Sequence, residues 1–151
     1  MNDVELQQEI QKVLELMNIH YKEISVHHDS DLHITLVNMR TTQDTELFME
    51  NNKSLLRDFS FVIKQVLKKQ FHYHKDIIFD VNHTERDFIN FTKEKASLAL
   101  QRVQFFEKPY EFGYLNSYER MLVHSYLKKY KEVITESQGE GSERRLVVKK
   151  S

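Results

Sequence analysis

The segment Asn116-Ser-Tyr-Glu-Arg-Met-Leu-Val-His124 sets Arg120 and His124 four residues apart. On a helix such a pair lies on one face, one turn above the other. Thr135-Glu-Ser-Gln-Gly-Glu140 follows, and then Arg144-Arg-Leu-Val-Val148, which reads as a strand opened by two arginines. A guanidinium fork matches the spacing of phosphate oxygens. The chemistry these residue types suit is therefore the holding of phosphate, not the making of bonds. Lys128 and Lys131 continue the helical face toward its C-terminus, where the macrodipole also favours a cation. Strand alternation sends Arg144 and Arg145 to opposite sides. One is expected to face a ligand and the other to join a surface ion pair. Tyr118 and Tyr126 could stack on bases, but with Leu122 they are expected to pack the helix against its sheet.

Other chemistry is weaker. Ser137, near Glu136 and His124, has the composition of a hydrolase site, yet no nucleophile elbow or oxyanion motif accompanies it. It is expected to be a loop hydroxyl at the binding face. His72-x-His74, with His27, His28 and His33, could ligate a metal, but no further ligand has matching spacing. No acidic cluster with metal-binding spacing suggests a nuclease. No catalytic residue, metal or cofactor is expected.

The elements that must position these residues follow from periodicity. Val4 to Met17 reads as a helix with Leu6, Ile10, Val13, Leu14 and Met17 on one face. His20 to His28 and Leu32 to Val37 read as a strand pair turned at Asp29-Ser30-Asp31. A short helix at Asp44 to Met49 precedes a longer one at Leu55 to Gln70, with Phe59, Val62, Ile63 and Val66 inward. Ile77 to Val81 reads as a buried strand. Thr84 is an expected N-cap for a long helix to Phe106, with Phe88, Thr92, Ala96, Ala99, Val103 and Phe106 on its core face. Pro109 and Gly113 mark the expected domain boundary. Tyr110 to Phe112 reads as a short strand. Asn116, with Glu119 three residues on, forms a capping box for a helix to about Lys129. Val133 to Glu136 and Arg144 to Lys149 read as an antiparallel pair.

A chain of 151 residues is one domain or two small ones, and ten Phe plus seven Tyr can build its cores. Without cysteine there is no disulfide framework and no thiolate chemistry. No apolar run suits a membrane span and no signal peptide is read at Met1, so a cytoplasmic protein without membrane insertion is expected. Charge is uneven. Residues 1–112 hold 14 Lys and Arg against 18 acids, and residues 113–151 hold 8 against 5. The C-terminal end is the one that attracts phosphate.

Asn116 to Val148, with its Glu-Ser-x-Gly-Glu loop and paired arginines, resembles the single-stranded nucleic-acid-binding module named for its Arg-x-x-x-His motif. The order of elements before it resembles a type II KH domain. Together they resemble the core of the bacterial Jag family (SpoIIIJ-associated, KhpB-like), through Leu14-Glu-Leu-Met17, Phe79-Asp-Val81 and Leu115-Asn-Ser-Tyr-Glu-Arg120. That family's N-terminal module and charged linker are not in this sequence. The resemblance implies an α+β architecture in two parts: a KH-like domain over 1–108 and an Arg-x-x-x-His domain over 109–151. It implies a non-enzymatic protein that binds single-stranded RNA, or DNA, and a role in post-transcriptional regulation. In relatives it implies roles in cell elongation or division. Implied protein partners are a small KH-domain protein or a second copy of the chain.

A KH domain clamps nucleotides with a Gly-x-x-Gly loop. Here alignment puts that loop on Glu50, Asn51, Asn52 and Lys53, and no glycine precedes Gly113. Asp44, Glu46 and Glu50 add negative charge where phosphate would lie. The KH scaffold is expected to persist with its RNA grip lost or weakened, leaving Arg120, His124, Arg144, Arg145, Lys128 and Ser137 as the binding set. The competing expectation is a protein-interaction adaptor that docks or dimerises through the degenerate KH domain.

Overall fold

The computed structural model describes residues 1–151 apart from the side chain of Asn52, so that member of the expected loop lies outside the described residues. The architecture is mixed α+β, with two three-stranded sheets and neither closed into a barrel. The elements are α1 (Asp3–Leu16), β1 (Glu23–Asp29), β2 (Ile34–Arg40), α2 (Thr45–Phe71), β3 (Ile77–Val81), α3 (Thr84–Phe106), β4 (Tyr110–Glu111), α4 (Ser117–Leu127), β5 (Val133–Gln138), a 3-10 turn (Gly141–Glu143) and β6 (Arg145–Lys150). They form two compact units, Met1–Arg86 and Asp87–Ser151.

In the first unit β2 is the central strand, antiparallel to β1 and parallel to β3. A parallel pair needs a crossover, and α2 supplies it. Leu6, Ile10 and Leu14 of α1 are fully buried with Phe48, Phe59 and Phe79, whose rings pack at 4.5–6.5 Å between centroids. Met17 and Val62, expected inward, are instead exposed. Each sits at the edge of its helix's apolar stripe. The two helices expected at 44–49 and 55–70 form one element. Its backbone leaves the right-handed region at Asn51 (φ 47°) and Lys53 (φ 59°), within the expected loop. Lys53 Nζ donates to Glu85 Oε1 at 2.6 Å, fixing that bend. The acids are not equivalent. Asp44 accepts from the His20 N–H at 2.7 Å, whereas Glu46 and Glu50 are exposed.

Thr84 is the first residue of α3 and not its cap. The fully buried Asp80 carboxylate accepts from the N–H groups of Glu85 (2.9 Å) and Arg86 (3.0 Å). It thereby satisfies donors that a helix start leaves orphaned.

In the second unit the sheet order is β4-β6-β5, all antiparallel. Its core joins Ala96, Ala99, Leu100 and Val103 of α3 to Phe112, Leu115, Val123, Leu127, Val133, Leu146 and Val148. α3 therefore packs with the C-terminal elements. The units part at Arg86 and Asp87, 22 residues before the boundary that Pro109 suggests. That proline terminates a helix without ending a domain. Phe106, expected in the core, is 63 % exposed, and Phe88 is half-buried.

Candidate nucleic-acid interface

The start of α4 sets the site. The Asn116 side chain accepts from the Glu119 N–H, and Glu119 Oε2 accepts from the Asn116 N–H, both at 2.9 Å. This reciprocal cap satisfies two donors and fixes where the first turn lies. Arg120 follows at once. Its Nη1 donates to the Leu115 carbonyl at 2.7 Å and its Nη2 to Ser117 Oγ at 3.1 Å. The half-buried guanidinium is thus held against the helix start with no carboxylate partner among the described residues. A guanidinium has five N–H donors, so three stay available.

One turn on, His124 is exposed, and its Nδ1 shares a hydrogen bond with Thr135 Oγ1 of β5. That bond orients the ring and leaves Nε2 for a ligand. Thr135 and Ser137 are two apart on β5, so they lie on one face of the sheet, opposite Val148 and Leu146 of β6. Arg144 stands just before β6. A shallow concavity gathers Ser117, Arg120, His124, Thr135, Ser137 and Arg144, with Met121 and Leu146 as its apolar part. No acidic side chain is among its described lining residues. Two guanidiniums, an imidazole and three hydroxyls in one carboxylate-free hollow can hold phosphate oxygens by charge-assisted bonds.

The adjacent arginines are divided as alternation requires. Arg145 lies outside the concavity. Its Nη1 donates to the carbonyls of Ser142 (2.7 Å) and Arg144 (3.2 Å), its Nη2 stands 3.8 Å from Glu143, and its guanidinium lies 6.0 Å from the Tyr114 ring. Lys128 is the exposed C-cap of α4 and does not line the concavity. The loop leading to Arg144 depends on Gly139 (φ 82°). A Cβ there would stand 3.0 Å from the Glu143 carbonyl oxygen. On the other face of β5, Lys149 Nζ donates to Glu136 at 2.7 Å. That bond, with one from Gln138, holds the Glu136 carboxyl below the ordinary glutamate range.

Tyr126 packs as expected against the core that joins α4 to the sheet and also meets Tyr130 edge-on, whereas the Tyr118 ring stacks on Phe88 of α3 at 5.9 Å. Sequence reasoning missed Thr135 and Ser117. The period of two that pairs Thr135 with Ser137 was available to find the first. Of the histidines, His28 is engaged by Thr35 and Asp3. No group of three or more His, Asp or Glu among the described residues could hold a metal.

The site is an Arg-x-x-x-His pair on a capped helix beside an arginine at the edge of a strand. Residues 82–150 match the Arg-x-x-x-His (R-3-H) domain. The match takes in α3 whole, so the Arg-x-x-x-His segment and the second compact unit coincide except at their first few residues and the last one. A domain of this kind points to single-stranded nucleic acid as the ligand. No curated protein matches the chain. Among the described residues, no helix is long and apolar enough to cross a membrane.

Proposed function

We propose that the protein binds single-stranded RNA through its Arg-x-x-x-His segment, with Arg120, His124 and Arg144 as the phosphate-holding set, and acts in post-transcriptional regulation. The observation that carries this is the carboxylate-free concavity in which those three side chains meet. Backbone contacts of this kind give affinity without base identity, so DNA strands compete. No step of bond making belongs to this reading.

The first unit is assigned as a degenerate KH-like scaffold of the Jag type, in a cytoplasmic protein. Supporting it are the antiparallel β1-β2 and parallel β2-β3 pairs and the bend at Asn51 and Lys53 where a Gly-x-x-Gly loop would stand. Glu50 and the Lys53–Glu85 pair make that bend a poor phosphate seat. The same observation favours a docking role for this unit toward a small KH protein or a second copy.

The test is anisotropy titration of the intact chain with fluorescent single-stranded RNA, single-stranded DNA and duplex at several salt concentrations. Expected are a preference for single strands and affinity that falls linearly with log salt, by about 0.7 per phosphate contacted. Equal binding of duplex, or no binding of any strand, overturns the reading.

A further inference from the structure

Phe91, Leu98 and Phe105 recur every seven residues along α3 and are 54, 60 and 82 % exposed. Seven residues are nearly two helical turns, so the three side chains form one stripe about 21 Å long. Lys95 and Arg102 lie within the same stripe. Tyr114, just before α4, is 66 % exposed. Cations accompany the rings: Lys95 Nζ stands 4.5 Å from the Phe91 ring centre, and the Arg102 guanidinium 5.4 Å from that of Tyr110. Neither Lys95 nor Arg102 pairs with a carboxylate among the described residues. A second concavity, bounded by Lys95, Leu98, Arg102, Tyr110, Tyr114 and Leu115, runs from this stripe to the entrance of α4. Leu115 on its edge offers its carbonyl to Arg120, which lines the first hollow with Ser117, two residues further along the chain.

We propose that Phe91, Phe105 and Tyr114, with Lys95 and Arg102, form a base-stacking extension of that hollow, over which a single strand runs on from its phosphate-holding end. The proposal rests on the nucleic-acid reading of the hollow. Sites for single strands combine a cationic track with aromatic faces on which successive bases stack. Phe91, with Lys95 over one face, keeps its other face for a base, and that cation is near enough to meet the adjoining phosphate. A dry protein interface fits less well. It would take Lys95 and Arg102 out of water without counter-charge, at a cost that exposed apolar side chains so interrupted do not offset. Phosphate supplies that counter-charge.

The experiment compares intact wild type with two variants of the stripe, Phe91→Ala/Phe105→Ala/Tyr114→Ala and Lys95→Gln/Arg102→Gln, and with Arg120→Ala/Arg144→Ala. The probes are oligouridines of about 6 and about 18 nucleotides, near the short end of known single-strand site sizes and beyond their long end. Thermal melts verify folding. The aromatic variant, which removes three rings together, is expected to bind the longer strand at least about 100-fold more weakly and to lose less on the shorter one. Lys95→Gln/Arg102→Gln is expected to lower the slope of log K against log salt by about 1.4 on the longer strand, or about 0.7 for each phosphate no longer held. Wild-type affinity of the aromatic variant for both strands overturns the extension. So does a fall in its sedimenting mass from dimer to monomer with binding unchanged, which would assign the stripe to a second copy of the chain. Wild-type affinity of Arg120→Ala/Arg144→Ala for both strands instead overturns the reading of the hollow.

Discussion

Replacing Arg120 by Ala separates two roles that one side chain combines. The guanidinium donates to the Leu115 carbonyl at 2.7 Å and to Ser117 Oγ at 3.1 Å, and it keeps three N–H groups for a ligand. Removing it deprives a carbonyl beside the buried Leu115 side chain of its donor, at a cost of about 1 kcal/mol. For a unit of this size that lowers Tm by about 4–8 °C. Removing it also takes away a charged bond to phosphate, worth about 1.5–3 kcal/mol, or roughly 10- to 150-fold in Kd. Arg120→Lys divides these effects further. An ammonium keeps the charge but not the fork. The salt slope should therefore be that of wild type while affinity falls by part of the Ala loss. Anisotropy titrations across a salt series, alongside thermal melts, read both quantities on the same preparations. A lowered Tm with unchanged Kd and unchanged salt slope in Arg120→Ala would refute the argument and leave Arg120 as a brace for the start of α4.

Three further perturbations test other parts of the site and its frame. The His124 ring, oriented by Thr135, offers Nε2 to a ligand, so His124→Ala is expected to weaken oligonucleotide binding by about 1 kcal/mol, or roughly 5-fold in Kd, and unchanged affinity in the variant would exclude a phosphate contact. Lys149 depresses the Glu136 carboxyl in the folded state. The stability this gives is present above the ordinary carboxylate range and is lost as pH falls through the lowered folded value. Melts from neutral to acid pH should show a shallower acid loss in Lys149→Met, and because the pair is exposed the difference should be small. Asn51 holds φ 47°, which glycine adopts without a Cβ clash, so Asn51→Gly should stabilise the first unit by about 0.5–1 kcal/mol in urea unfolding. A destabilised variant would mean that the Asn51 side chain itself supports the bend.

The local elements are legible in the sequence because their signals are local. Ile77–Val81 is an apolar run between polar flanks, broken only by Asp80, and the Asn116/Glu119 capping box announces its own geometry. The pairing of Arg120 with His124 needs only the helical period. Choosing between Arg144 and Arg145 needs more. Alternation says that they diverge but not which one turns toward α4, and that depends on the register Gln138↔Arg145. The bend in α2 is foreshadowed by the missing glycines, which mark an abnormal loop. Asn51 and Lys53 adopt left-handed backbone without glycine, and a Lys53–Glu85 pair far apart in sequence ties the bend down.

The placement of α3 departs from expectation in the unit it joins and at two inner positions, Phe88 and Phe106, while Thr92, Ala96, Ala99 and Val103 lie inward as expected. Its buried positions are Ile89, Thr92, Ala96, Ala99, Leu100 and Val103. Most of these are small or β-branched, whereas Phe88, Phe91, Phe105 and Phe106 are large. Hydrophobic size favours the phenylalanines as core residues, yet filling a core is limited by volume as well as by transfer free energy, and small side chains can fit where phenylalanine cannot. Ala96 and Ala99 belong to the cluster that holds Leu115, Val123 and Leu127. Residues 109–151 without α3 would leave that face of the cluster open to water. So short a segment cannot offset such a loss, since small chains bury a small share of their surface. A fragment meant to carry the Arg120–His124–Arg144 site therefore has to begin ahead of α3, close to where the Arg-x-x-x-His domain match itself begins. The same small inner face turns the large residues outward, which is why α3 carries an aromatic stripe on the surface of a domain whose core it also completes.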